Sequence, residues 1–181
     1  MAVGEKTRAL AAGMAVGAIG LVAYIGSEGW AEKAVPPVKG DVPTYGFGST
    51  RGADGKPLQG GETIKPVPAV RLALRDLQVA ETGLKKCLGG VMLYQHEYDA
   101  YVSLSSNVGY TKVCVSSIPV KLRAEDYAAA CRTILDFSKF CNKPKIRNAQ
   151  GKYVCPPGAL VELPGLKARR EREYKMCMGD I

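Results

Sequence analysis

Histidine is almost missing from this chain: His96 is the single example in 181 residues. A Cys/His metal site is therefore poorly supplied, no cysteine spacing reads as paired zinc half-sites, and neither a metal nor another cofactor is expected. Aromatic residues are also scarce, with one tryptophan, Trp30, and three phenylalanines. They do not alternate with basic residues, and there is no zinc-finger or RNA-binding signature. The formal net charge of +8 thus has no nucleic-acid reader attached to it. Such a charge suits polyanions of another kind, anionic lipid or the bacterial envelope. No internal repeat or low-complexity tract is visible. The length allows one domain with a real core, but not two ordinary domains plus a membrane anchor.

Cysteine is absent before Cys87, after which come Cys114, Cys131, Cys141, Cys155 and Cys177. An even set suggests disulfides and an oxidising compartment, the alternative being reduced core thiols in a cytoplasm. Cys141 and Cys155 enclose NKPKIRNAQGKYV, which has little apolar content to hold itself, and we pair them on that ground. Cys131 and Cys177 fall on two C-terminal helical stretches, where a bridge would tie down the tail. Cys87 is left with Cys114.

Long runs of bulky apolar residues are lacking too. Residues 9–26 are uncharged and follow Lys6 and Arg8, but ten of these eighteen are Ala or Gly. The stretch reaches the lower length limit for spanning a bilayer, while its gain on leaving water is marginal. No small-x-small site closes it, so cleavage is not expected. A buried helix of a globular domain explains the composition equally well. The two readings are compatible in time, with the membrane first and packing on the domain later.

Chemistry enters immediately afterwards, in SEGWAEKAVPPVKGDVPTYGFGST, residues 27–50. EGW followed by VPTYGFGST resembles the phage lysozymes of glycoside hydrolase family 24, with their Glu-Gly opening and Thr-x-Gly-x-Gly hairpin. The resemblance implies that Glu28, at a helix end, is the general acid. Across the cleft, an aspartate and Thr44 would position the attacking water. The spacing departs from the family pattern of eight residues between glutamate and aspartate and five between aspartate and threonine. Here the aspartate position holds Pro37, and fifteen residues separate Glu28 from Thr44. The acids in the gap are Glu32 and Asp41. Asp41, in the turn Lys39-Gly40-Asp41 shortly before Thr44, takes the water-positioning role, with Glu32 as the other candidate. A plain turn aspartate bonded to its own backbone is the competing reading.

These residue types suit glycosidic cleavage, which needs a protonated acid beside the leaving oxygen and stabilisation of an oxocarbenium-like state while water attacks. Glu28, ending an apolar segment beside Gly29 and Trp30, is expected to be partly desolvated, a setting that favours the acid form. Asp41 in an open turn is expected to stay ionised. Two carboxyls in opposing environments form an acid and base pair.

Residues 45–64 are glycine-rich, carry ADGKP, and predict a lobe of hairpins for sugar binding. Tyr45 and Phe47 alternate on one strand there as substrate-binding candidates, with simple core the alternative. After Pro68, Val70, Ala73, Leu74 and Leu77 recur at helical spacing. YQHEYDAYVSLSSNVG, residues 94–109, resembles a family helix through Gln95, Asp99, Ala100, Ser103, Asn107 and Gly109, all expected to be mainly structural, with His96 solvated. KLRAEDYAAACRTILDF predicts one amphipathic helix. LPGLKARREREYKMC resembles the family's terminal helix, where Arg169 and Arg170 are expected either to meet envelope anions or to form a solvated basic face.

The resemblance implies an α+β, lysozyme-like fold, mainly α-helical with a small antiparallel β-hairpin lobe, behind an N-terminal hydrophobic helix. It implies a monomeric endolysin that hydrolyses the β-1,4 bond between N-acetylmuramic acid and N-acetylglucosamine in peptidoglycan. A lytic transglycosylase and a non-enzymatic anchored envelope protein are the alternatives. The leader resembles that of signal-anchor-release endolysins. Residues 1–26 would then tether an inactive enzyme to the inner membrane, with domain 27–181 in the periplasm, before the segment leaves the bilayer and the enzyme refolds around it.

Overall fold

In the computed structural model, which describes residues 7–36, 41–144, 146–149, 151 and 153–180, the N-terminal segment is not one helix. Strand β1 (Ala9–Leu10) pairs antiparallel with β4 (Met92–Leu93), a 3-10 turn covers Ala11–Gly13, and α1 runs from Ala18 to Glu28. The interruption has a plain cause. The Ala11 and Ala12 N–H groups donate to the carbonyls of Val91 and Gly89 at 2.8 and 3.1 Å, and the Val16 and Gly17 N–H groups donate to side chains of other elements. Backbone donors engaged elsewhere leave no continuous helical ladder. Ala11, Met14 and Tyr24 are buried in the main core, so the segment is an integral part of the domain. Among the described residues, no helix is long and apolar enough to cross a membrane.

After α1 comes a small lobe. β2 (Ala31–Val35) and β3 (Thr44–Gly46) pair antiparallel, Ala31 opposite Gly46 and Val35 opposite Thr44, with a register shift between the two pairs. β2 thus precedes the stretch that the sequence marks as hairpins. Single bridges, Lys33 to Thr63 and Arg51 to Pro57, extend the lobe. Its own core is Ala34, Tyr45, Leu58, Ile64, Ala69 and Leu72, and Phe47 packs against both this cluster and the main one.

The expected helix after the lobe is α2 (Pro66–Leu88). Prolines in its first turn cost no hydrogen bond there, and Leu72, Ala73, Leu77, Ala80, Leu84 and Leu88 form one buried stripe. α3 (Gln95–Val108) is the central helix, and its residues from Glu97 to Ser105 are all buried. Three short helices follow: α4 (Tyr110–Cys114), α5 (Ile118–Arg123) and α6 (Tyr127–Arg132). The single helix expected over KLRAEDYAAACRTILDF is therefore broken. Glu125 adopts φ +59°, and Asp126 caps α6 by accepting the Ala129 N–H at 3.2 Å, which starts a new helix instead of continuing the old one.

β5 (Lys139–Cys141) pairs with β8 (Leu160–Glu162) around a smaller pair, β6 (Ile146–Arg147) and β7 (Tyr153–Val154), so the expected loop between Cys141 and Cys155 contains a hairpin. α7 (Pro164–Met178) closes the chain against α3. The cysteines are bonded as Cys87–Cys114, Cys131–Cys177 and Cys141–Cys155. The whole is an α+β arrangement, mainly helical with small antiparallel sheets.

Candidate active site

Glu28 is the last residue of α1. The helix stops there because Gly29 takes φ +72° with extended ψ, a setting open to glycine and strained for other residues. Its carboxylate, with the side chain 23% exposed, meets a cation rather than the apolar surroundings expected from sequence: Arg169 Nη1 donates to Glu28 Oε1 at 2.6 Å. The opposite oxygen faces the hairpin. A Cβ on Gly48, which has φ +81°, would lie 3.0 Å from Glu28 Oε2, and one on Gly46, at φ +61°, would lie 2.9 Å from Ala69 Cβ. The two glycines of TYGFG therefore let the hairpin pass close to Glu28 on one side and pack on α2 on the other.

Arg169 and Arg170 are neither solvated nor open to envelope anions; they are 6% and 0% exposed. Arg169 Nε also donates to Glu173 Oε1 at 3.2 Å, Ser103 Oγ donates to the same oxygen at 2.8 Å, and Arg170 Nη2 donates to Asn107 Oδ1 at 3.0 Å. Burial works against the charge on Arg169, yet the Glu28 and Glu173 carboxylates outweigh it and hold the guanidinium pKa above its ordinary value. Burial pushes the Glu173 carboxyl up, against the pull of Arg170, Ser103 and Arg169. The sequence did carry a signal for this cluster. Arg169, Glu173 and Cys177 recur four apart, and a disulfide cysteine on that stripe points it inward.

Thr44 opens β3, half-buried, opposite Val35. Asp41 is exposed, and its Oδ1 accepts the Val42 N–H at 2.9 Å, a bond to its own turn. Pro37, Lys39 and Gly40 lie outside the described residues. Glu32 is exposed on β2, and its backbone carbonyl accepts from the Ile64 N–H at 3.0 Å. Of the two aromatic candidates, Tyr45 is buried in the small-lobe core and Phe47 is half-buried. Burial also pushes the Tyr45 hydroxyl's pKa up. An exposed ring in this part of the chain is Trp30, 45% accessible two residues beyond Glu28 and 5.3 Å from Phe47 between centroids. Ser49, on the hairpin, donates to Asp76 Oδ2 at 2.6 Å, which ties the hairpin to α2. Among the described residues, no cluster of three or more His, Cys, Asp or Glu is arranged to hold a metal.

A carboxyl fixed at a helix end, between a buried guanidinium and a glycine hairpin, two residues before the exposed ring of Trp30, is equipped to protonate a leaving oxygen on a sugar. The phage lysozyme family model matches residues 26–173. The endolysin of Salmonella phage P22 is 32% identical over 133 residues, covering 74% of this chain and 90% of that protein. A SAR-endolysin of Haemophilus phage HP1 is 30% identical over 152 residues, 77% of this chain and 69% of that one. The solved endolysin from Escherichia coli O157:H7 phage FAHEc1 superposes with a TM-score of 0.76 at 26% identity, over 93% of this chain and 96% of its own. This chain belongs to the phage lysozyme family, the peptidoglycan-hydrolysing glycosidases of phages.

Proposed function

We propose that this chain is an endolysin that cleaves the β-1,4 bond between N-acetylmuramic acid and N-acetylglucosamine, with Glu28 as general acid. The observation that carries this reading is the placement of the Glu28 carboxyl, held by Arg169 at 2.6 Å on one side and left open toward the hairpin by Gly48 on the other. In the reaction, Glu28 delivers its proton to the leaving glycosidic oxygen. Thr44 and Asp41 orient the attacking water. Trp30 with Phe47 offers an apolar face on which a sugar ring stacks. In the observed conformation the Asp41 carboxylate serves its own turn, so in this role it must turn from the Val42 N–H toward substrate.

That last observation favours one second reading, a lytic transglycosylase that needs an acid but no positioned water. Mass spectrometry of the fragments released from purified sacculi separates the two. Reducing N-acetylmuramic ends support hydrolysis, and anhydro ends support the alternative. Glu28→Gln keeps the shape but has no proton to give, and should abolish lysis in either case. Appreciable residual activity would remove Glu28 from the role.

For location, we propose that residues 1–26 first lie across the inner membrane, N-terminus in the cytoplasm, with residues 27–181 in the periplasm. The segment then leaves the bilayer and folds into the domain as β1, the 3-10 turn and α1. Its Ala and Gly content supports a weak preference for lipid, and its similarity to a SAR-endolysin supports the same cycle. While the segment spans, Glu28 is held at the membrane surface, two residues beyond Gly26, and the site is unassembled.

A further inference from the structure

Helix α1 begins without a cap of its own. Its N-cap position is Gly17, which has no side chain to accept from the first-turn N–H groups. A carboxylate from another element takes that place. Asp99, buried on α3, accepts the Gly17 N–H through Oδ1 at 2.8 Å, and the Gly20 N–H also bears on it. The same oxygen accepts Gln95 Nε2 at 2.8 Å, and that amide also donates to the Ala15 carbonyl at 2.8 Å. One residue earlier, the Val16 N–H donates to buried Glu81 Oε1 at 2.6 Å.

The glycines of the segment divide according to this contact. A Cβ on Gly20 would lie 2.7 Å from Asp99 Cγ and 2.8 Å from its Cβ, and one on Gly17 would lie 2.9 Å from Asp99 Oδ2. Added at Gly13 or Gly26, it would meet nothing within 4 Å. Two of the four glycines are therefore shaped to α3 through Asp99, and two are not. Burial pushes the Asp99 carboxyl up, and the bonds from Gly17, Gln95 and Gly20 hold against that rise, as does the charge of His96.

We propose that Asp99 is a positioning residue for glycan hydrolysis: by capping α1 from α3, it sets the register of the helix whose last residue is Glu28. The inference rests on Glu28 being the acid. α1 is eleven residues long, a rod with the cap at one end and the carboxyl at the other. A slip of one residue along a helix moves a side chain by about 1.5 Å and turns it by about 100°. A displacement of about 1 Å at a reacting group is enough to cost on the order of a hundredfold in rate.

The test uses the full-length soluble protein and a soluble peptidoglycan fragment, with each variant assayed well below its own unfolding midpoint. Asp99→Ala should lower kcat by about tenfold or more while leaving KM nearly unchanged. Asp99→Asn keeps an acceptor for the Gly17 N–H and should restore most of kcat. Gly20→Ala, which drives a methyl into Asp99, should reproduce the Asp99→Ala loss, and the two changes together should be far less than additive. Gly13→Ala should match the parent. A folded Asp99→Ala with parental kcat overturns the proposal, as does an equal loss in Asp99→Asn or in Gly13→Ala. If Asp99→Ala does not fold, the comparison of Asp99→Asn and Gly20→Ala with the parent decides alone. Glu28→Gln is assayed in parallel. If it stays active, the identity of the acid has failed; if it is dead while Asp99→Ala is fully active, only the positioning role has failed.

Discussion

Arg169 donates to Glu28 across 2.6 Å, so that the last helix of the chain grips the last residue of its first helix, 141 positions away. The same guanidinium serves Glu173, which burial leaves dependent on its two arginines and on Ser103. Arg169→Met keeps the apolar stem but leaves these carboxylates short of a cation. Removing one partner of a buried pair costs roughly 3–5 kcal/mol. The urea midpoint should fall accordingly, and lytic activity per folded molecule should fall with it. A loss of stability under about 1 kcal/mol would mean that the pair is energetically idle, as many exposed pairs are.

Trp30 should matter for binding rather than for chemistry. Stacking of this kind is worth about 0.5–1.5 kcal/mol beyond area burial, so Trp30→Ala should raise KM for soluble glycan fragments about two- to tenfold with kcat nearly unchanged. A drop in kcat at constant KM would instead make the ring a support for Glu28.

The Asp99 carboxyl titrates higher in the folded protein than in the unfolded chain, because burial raises it and its bonds only partly compensate. The folded state then binds the proton more tightly, and stability must fall as pH rises from the ordinary carboxylate range through the raised value. Asp99→Asn removes that loss. Urea unfolding between about pH 4 and about pH 7 should show a smaller decline, or a larger gain, for the variant than for the parent. Parallel curves would mean that Asp99 titrates alike in both states.

Much of this was legible in the sequence. The EGW and TYGFG blocks located Glu28 and the hairpin, because turns that need glycine leave local marks, and the stripe of α2 showed its buried face at a period of 3.6. What escaped was non-local. The four-residue spacing of Arg169, Glu173 and Cys177 marks an inward stripe, but nothing in that helix names Glu28, the carboxylate Arg169 meets 141 positions earlier. The N-terminal segment looked like one helix because its composition is uniform. Its breaks come from acceptors at Glu81, Gly89, Val91 and Asp99, which no local pattern announces. Tyr45 and Phe47 alternate as expected of a strand, but alternation does not say which face is core, and the exposed ring proved to be Trp30.

The proposed release cycle can be tested without disturbing the folded enzyme, because the structure separates the glycines that dock from those that do not. Leucine at Gly17 or Gly20 would strengthen lipid preference and at the same time collide with Asp99, so a loss of lysis there has two causes. Gly13 and Gly26 are exposed, and an added Cβ meets nothing within 4 Å at either. Leucine at both adds about eight buried carbons in the bilayer, at about 0.8 kcal/mol each, enough to outweigh a marginal exit. The Gly13→Leu, Gly26→Leu double variant should therefore stay in the membrane fraction and fail to lyse cells even after an uncoupler is added, while the parent appears in the soluble periplasm. Extracted from the membrane and allowed to refold, it should digest sacculi at close to the parental rate, which shows that the block lies in release and not in the active site. Prompt lysis by the double variant would mean that residues 9–26 are an ordinary core segment and that no membrane-held stage precedes the fold described here.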